Sequence, residues 1–323
     1  MTTASATTTR PLSAYLSNDE IRSLQAFSPA RVWIDTLFTW ALVLACLAAC
    51  ATWNNPVLWV LSFVVIASRQ LALTHLVHDA SHYRLFASRQ FNDLFSDILL
   101  AGPVGISTAS YRAQHLPHHR YLGDRTRDSD QRSWYAIKGG LFWKRTLLTL
   151  AGWEALVTFG SYARADGGGE NSGLLWRLCC AALGNGLLLL YCWWLGQPAL
   201  YLVMWFLPLL TLTMLLQNYR VIAEHQPESY AARGIDRAPE SFTPALTRTL
   251  QPGPMGRFLL GPMNFYYHHE HHLMPSVPYH QLPRMHRLLQ DRGYFRDHSE
   301  VLGSGYAQTL YKLVRPQRST TNG

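Results

Sequence analysis

Charge is the first thing this sequence lacks. Lys, Arg, Asp and Glu make up 15% of its 323 residues, where a soluble globular domain carries about 25%. The 28 Lys and Arg outnumber the 20 Asp and Glu, for a formal net charge of +8. They form no continuous stripe interleaved with aromatics, so no nucleic acid is expected as a partner. The five cysteines, Cys46, Cys50, Cys179, Cys180 and Cys192, all fall in apolar runs. There they read as small hydrophobes and offer no disulfide framework. The N-terminal 30 residues contain no short apolar core followed by a small-residue cleavage site, which argues against a secretory signal. Gly167-Gly168-Gly169 follows Asp166 in a polar run with no strand before it, and so reads as a loop and not a phosphate cradle. No internal repeat and no long Pro- or Ser-rich linker divides the chain.

What is abundant suits a bilayer. The sequence holds 11 Trp, 16 Tyr and 13 Phe, amphipathic rings that favour membrane interfaces. Four apolar runs approach the roughly 20 residues a spanning helix needs: about 32–53, 56–77, 174–195 and 198–217. Only Asn54-Asn55 separates the first pair, and only Gly196-Gln197 the second, so each pair predicts a hairpin with an uncharged tip. Arg and Lys crowd the other connections. The positive-inside rule then places both termini and the segment from about 80 to 173 in the cytoplasm. Charges interrupt or flank the apolar stretches Leu94–Val104 and Leu141–Phe159 of that segment, which predicts surface-lying or re-entrant helices there. The chain is thus expected to divide into an N-terminal cytosolic segment (1–31), a membrane domain (32–290) and a C-terminal cytosolic tail (291–323).

Ten of the 14 histidines fall in three patterned clusters. The first is His75-Leu76-Val77-His78-Asp79-Ala80-Ser81-His82, where His78 and His82, four residues apart on a helix, project from one face. The second, His115-Leu116-Pro117-His118-His119, ends in an adjacent pair. Neighbouring helical side chains diverge by about 100°, so His118 and His119 can serve two different ions. Pro117 disfavours helix at Leu116 and predicts that His115 lies just outside it. In the third, Asn264, His268, His271 and His272 are expected to share one helical face, with His269 pointing away and Pro275 ending the helix. A lone His225 follows Glu224 just beyond the fourth span. His280, His286 and His298 are read as ordinary polar residues.

Three spaced clusters on one side of a membrane point to metal. Imidazole suits Zn, Cu, Fe and Ni, but a structural zinc closes with about four ligands and a catalytic one with three. The clustered imidazoles exceed the needs of one ion, so two are expected. Iron is favoured because the chain offers no other group for O2 chemistry at a bilayer. It also has no nucleotide fingerprint, no cysteine cluster for iron-sulfur and no His-Pro-Gly-Gly haem motif, which calls for a separate electron donor.

The clusters resemble the histidine boxes of the membrane fatty acid desaturase and hydroxylase superfamily, HxxxH, HxxHH and HxxHH, in order and spacing. The resemblance covers roughly residues 32–290. It is nearest to bacterial acyl desaturases, through His118-His119-Arg120-Tyr121-Leu122-Gly123, Arg220-Val221-Ile222-Ala223-Glu224-His225, and the run from Glu270 through His271-His272-Leu273-Met274-Pro275 to Tyr279. It implies an all-α integral membrane protein, with four transmembrane helices in two hairpins and a cytosolic helical cap holding a non-haem diiron site. It further implies ligation by His78, His82, His115, His118, His119, His225, His268, His271 and His272. Asp79, Glu224 and Glu270 are read as partners that fix imidazole tautomers, and Asn264 as a holder of iron-bound water. Pro117 departs from the pattern, and His75 and His269 are extra imidazoles that it does not assign.

The expected activity is O2-dependent oxidation of a fatty acyl chain, foremost desaturation. Hydroxylation or a decarboxylation that leaves a terminal alkene would start from the same site. A zinc-dependent membrane hydrolase or a metal transporter is the distant rival, although transport predicts more ionisable residues in the spans than Arg69, Asp35 and Arg177. The expected partners are membrane lipid and a ferredoxin, rubredoxin or cytochrome docking on basic residues such as Arg125, Arg127 and Lys144. The expected location is the bacterial inner membrane.

Overall fold

Short polar residues and prolines fix where the helices begin. In the computed structural model, which describes residues 11–124, 126–129, 140–167, 172–225 and 246–314, α1 (Asn18–Leu24) starts with a reciprocal cap between Ser17 and Glu20. The long helix α2 (Pro29–Thr52) and its neighbour α3 (Pro56–Ser81) both place proline in their first turn, where its missing N–H costs nothing. The Asn55 side chain accepts from the N–H groups of Val57 and Leu58 at 2.9 and 3.2 Å, so the break between α2 and α3 is a purpose-made cap. These two helices pack along each other.

After α4 (Arg89–Ser96), the chain continues through a π-helical segment (Asp97–Ala101) into α5 (Thr108–Arg120), α6 (Gly140–Leu150), α7 (Trp153–Gly167) and α8 (Ser172–Trp194). A second π-helical segment (Tyr201–Phe206) leads to α9 (Leu207–Leu210) and α10 (Leu212–Glu224). Five shorter helices follow: α11 (Pro254–Leu259), α12 (His268–Leu273), α13 (Leu282–Asp291), α14 (Tyr294–Asp297) and α15 (Tyr306–Val314). The described residues form helices and turns, joined by isolated bridges between His225 and Thr247 and between Thr249 and Leu302.

Four stretches are long and apolar enough to cross a membrane: Asn18–Thr52, Pro56–Ser81, Gly173–Trp194 and Tyr201–Glu224. They overlay the four expected spans. The last runs on to Glu224, because α10 continues well past Gln217. Leu187, Leu190, Trp193 and Trp194 on α8 are more than half exposed, as lipid-facing residues would be. Helix α3 is the pillar: from Ile66 to Ser81 nearly every residue is buried. Its polar residues are tied internally, Gln70 donating to the Trp205 carbonyl at 2.7 Å and accepting from Thr213 at 2.6 Å. Arg69 donates to the Phe258 carbonyl at 2.7 Å. These bonds fasten the helices together.

Asp97 pins the 97–108 segment by accepting from Thr108 N at 2.7 Å and Trp176 Nε1 at 2.8 Å. Gly102 permits the close approach, since a Cβ there would lie 2.8 Å from the Cys180 backbone. On the far side of the histidines, Tyr15, Leu16 and Leu24 pack with Leu282, Met285, Leu289, Tyr294 and Phe295. The segment before α2 and the helices after α12 therefore share one core.

Candidate metal centre

Each histidine cluster sits where a helix ends or begins. His78 lies in the last turn of α3, and His82 is the residue that caps it. Helix α5 carries the whole second cluster, His115 included, and continues through Pro117. The expected break at Leu116 is absent: a proline this close to the C-terminal end removes one N–H, and the remaining turn still closes, with Tyr121 N donating to the Pro117 carbonyl at 2.8 Å. Helix α12 is only His268–Leu273, and it begins after a turn in which Met263 and Asn264 adopt φ of 60° and 59°. Asn264 therefore lies outside the helix whose face it was expected to share. Its amide is engaged elsewhere, donating to the Tyr279 carbonyl and accepting from the Tyr266 hydroxyl, both at 3.3 Å. His225 follows α10 directly and donates from Nδ1 to the Val221 carbonyl at 3.0 Å.

The imidazoles converge in two groups. Nitrogens of His78, His82, His115, His119 and His271 lie within 4.8 Å of one another, and so do those of His118, His225 and His272. His268 adjoins the second group, its Nε2 3.3 Å from His225 Nε2 and 3.0 Å from His272 Nε2. The adjacent pairs His118-His119 and His271-His272 thus part, one member to each group. Further Nε2 separations are 2.9 Å for His115–His119, 3.0 Å for His119–His271 and 3.2 Å for His118–His225.

These distances fit ligation. A first-row metal binds imidazole nitrogen at about 2.1 Å, so two nitrogens at right angles around it sit about 3.0 Å apart. The His78 and His82 Nε2 atoms are buried with no hydrogen-bond partner among the described residues. A buried polar atom left so costs about 1–3 kcal/mol, and a cation between the rings would remove that cost. Burial, followed by neighbouring charged or imidazole groups, holds His115, His119, His225, His268, His271 and His272 well below their ordinary value of 6.5. Burial likewise brings His82 down to about 3, with Arg84 and Arg112 adding to it. All are neutral at physiological pH, the state a ligand requires.

Carboxylates stand behind the rings. Asp128 Oδ1 lies 2.8 Å from His118 Nδ1, and its Oδ2 accepts from Gly123 N at 2.7 Å. The sequence gives no sign of Asp128, which stands ten residues from its histidine across an irregular loop. Glu224 lies 3.5 Å from His268 Nδ1 and is held by Arg220 and by the Tyr306 hydroxyl, the latter at 2.8 Å. Asp79 lies 3.5 Å from His78 Nδ1 and accepts from Tyr279 N at 2.7 Å. Glu270, by contrast, meets Thr249 and His286. His286, set aside as an ordinary polar residue, is therefore the partner of a buried acid.

The two extra imidazoles face elsewhere. His269 is held by Thr247 at Nδ1 (2.8 Å) and by Tyr294 at Nε2 (2.9 Å). His75 has Nδ1 2.9 Å from the Pro262 carbonyl and stacks on Phe265 at 3.9 Å. Of the basic residues expected to dock a donor, Arg127 is paired with Asp124 at 2.6 Å, Lys144 is exposed on α6, and Arg125 lies outside the described residues, as do Gly168 and Gly169 of the expected loop.

A cavity of about 130 Å3 reaches His115 from between α3, α5, α7 and α10. Leu71, Val104, Ile106 and Val221 make its inner wall apolar.

Fold and site together define a helical membrane protein built around a histidine-rich centre of the metal-binding type. Residues 54–301 match the fatty acid desaturase family, and the chain belongs to it. It is therefore an integral membrane oxidoreductase. Among its relatives, the dihydrorhizobitoxine desaturase of Bradyrhizobium elkanii is 28% identical over 273 residues, covering 79% of this chain and 74% of that protein. The beta-carotene ketolase of a Paracoccus species is 26% identical over 235 residues, 71% of this chain and 79% of the relative. The sphingolipid delta(4)-desaturase/C4-monooxygenase of Bos taurus is 33% identical over 136 residues, 41% of each chain.

Proposed function

We propose that the chain holds two irons and uses them to oxidise an aliphatic acyl chain with O2, foremost by desaturation. The observation that carries this reading is the division of eight histidines, six buried and two half-buried, into two groups at ligating distances, with His268 beside the second. One iron belongs to His78, His82, His115, His119 and His271, the other to His118, His225, His268 and His272. Iron bound there would supply the redox chemistry that activates O2 and breaks an unactivated C–H bond.

The chain's own residues do the positioning. Burial keeps the imidazoles neutral, while Asp128 and Glu224 orient His118 and His268 from behind. The apolar inner wall holds the substrate carbon opposite His115 and excludes water. Desaturation balances as one CH2–CH2 unit, O2, two electrons and two protons giving one alkene and two waters. The two electrons come from a separate ferredoxin, rubredoxin or cytochrome, and an acidic one suits the basic loops. In this reading α2 with α3, and α8 with the fourth span, form two hairpins. The histidine centre, residues 1–31 and the tail 291–323 then face the cytoplasm of a bacterial inner membrane, where the helices outside the spans form the cap.

A second reading, oxygen insertion, is favoured by the names of two relatives, a ketolase and a desaturase/C4-monooxygenase. Turnover of the iron-loaded protein under 18O2, with products read by mass spectrometry, separates the two. An alkene without label is expected. A product that is labelled throughout would replace desaturation with insertion, and zinc alone in an O2-indifferent enzyme would end both.

A further inference from the structure

The cavity at His115 changes character along its length. Its inner wall is apolar, but towards α7 and α10 it is lined by Glu154, Thr158, Gln217 and Asn218. A smaller depression, between α6 and α10, shares Glu154 and Asn218 with it, so the two form one groove that passes beneath α6. The helices over this groove turn apolar side chains outward: Trp143 is 60%, Leu147 68% and Leu156 69% exposed. Such faces, with Trp among them, belong to helices lying in a bilayer interface. The groove therefore opens at the level of lipid.

Glu154 stands at the junction of the two parts. Among the described residues it is, apart from His115, the cavity's one ionisable side chain other than tyrosine, and it makes no ion pair there. The outer depression adds Arg145. A carboxylate at this point repels a free fatty acid or the phosphates of a coenzyme A thioester, and accepts from a hydroxyl, amide or ammonium group. The inner cavity is also short. About 150 Å3 holds one benzene ring, so about 130 Å3 encloses on the order of six carbons between Glu154 and His115.

We propose that the substrate is a membrane-resident amphiphile whose neutral or cationic head binds at Glu154, and which is oxidised within about six carbons of that head. This rests on the oxidation reading above and narrows it to one class of carrier. The protein in phosphatidylcholine nanodiscs, without O2, is tested for binding of hexadecan-1-ol, hexadecylamine, palmitate and palmitoyl-CoA by native mass spectrometry. The alcohol and the amine are expected to bind about tenfold or more tighter than the acid and the thioester. Glu154→Lys is expected to reverse the order, and Glu154→Gln to abolish the advantage of the amine over the alcohol while leaving iron content and thermal unfolding unchanged. Should Glu154→Lys not fold, Glu154→Gln decides. Equal or tighter binding of palmitoyl-CoA or palmitate, or a head preference untouched by the variants that fold, would overturn the proposal. With iron, donor and O2 restored, oxidation far from the head would overturn its positional half. Binding selectivity without any turnover would count against the oxidation reading alone. Turnover of palmitoyl-CoA indifferent to Glu154 would count against this inference alone.

Discussion

His225 stands outside all three clusters, which makes His225→Ala the sharpest test of the two-group arrangement. Its Nε2 lies 3.2 Å from that of His118 and 3.3 Å from that of His268, so truncation removes one of four imidazoles around the second position and none from the first. Four-ligand metal sites bind with about 10–16 kcal/mol, or roughly 3 kcal/mol per ligand if shared evenly. The second ion should then bind about a hundredfold more weakly, since 1.4 kcal/mol is about a factor of ten. Iron per chain, measured by plasma mass spectrometry after a chelator challenge, is expected to fall from two to one. His82→Ala, which leaves four of five imidazoles at the first position, should weaken binding of the other ion and spare this one. Two irons surviving in His225→Ala would show that His225 is no ligand. Loss of both irons at once, in a protein whose apo form unfolds at the wild-type temperature, would refute two separable positions.

Three further outcomes follow from the same geometry. Asp128→Ala removes the carboxylate 2.8 Å behind His118 and is expected to weaken metal affinity about 10–100-fold; a competitive chelator titration checks this, and unchanged affinity counts against the orienting role. Tyr279→Phe deletes the 2.6 Å bond its hydroxyl donates to Asp35, which should cost about 1.5–3 kcal/mol in detergent unfolding while leaving iron content intact. His269 is brought from 6.5 to about 3, chiefly by burial, so the unfolded chain takes up a proton there that the folded chain refuses. Its contribution is complete above pH 6.5 and is lost as pH falls towards 3, about 2 kcal/mol between pH 7 and pH 5. In the metal-free protein, His269→Gln should show a correspondingly shallower loss over that range, and equal slopes would contradict the assignment.

The parts of the structure legible in the sequence are those governed by local period and composition. Asn55 and Pro56 mark the start of α3 as plainly on paper as in space, and the apolar runs give the four membrane-length helices. What stayed hidden depends on contacts distant in sequence or on loop geometry. Asp128 reaches His118 only because the loop after α5 turns back, and His286 meets Glu270 only because α13 folds over α12. The positive φ angles of Met263 and Asn264 detach Asn264 from α12, and no helical periodicity announces that in residues with ordinary side chains. Pro117 misled in the opposite direction, since its local preference yields to the packing of α5 between α3 and α7.

The doubled histidine is the feature that joins sequence to chemistry most directly. A single ion needs ligands on one helical face, three or four residues apart, and a second imidazole next to one of them would point about 100° away. In α5 and again in α12 the neighbour is present, and in both helices it joins the other group: His119 and His271 to the first, His118 and His272 to the second. Two helices that each split their pair in this way fix two positions at once, and a rotation of either helix about its axis would withdraw a ligand from both. The spacing of the two histidine groups is thus set by backbone, through helices anchored at their ends by the Ser107 cap before α5 and by the turn at Met263 and Asn264 before α12. A change that lengthens that turn should therefore disturb both ions together. His225, reached from α10 alone, should govern only one.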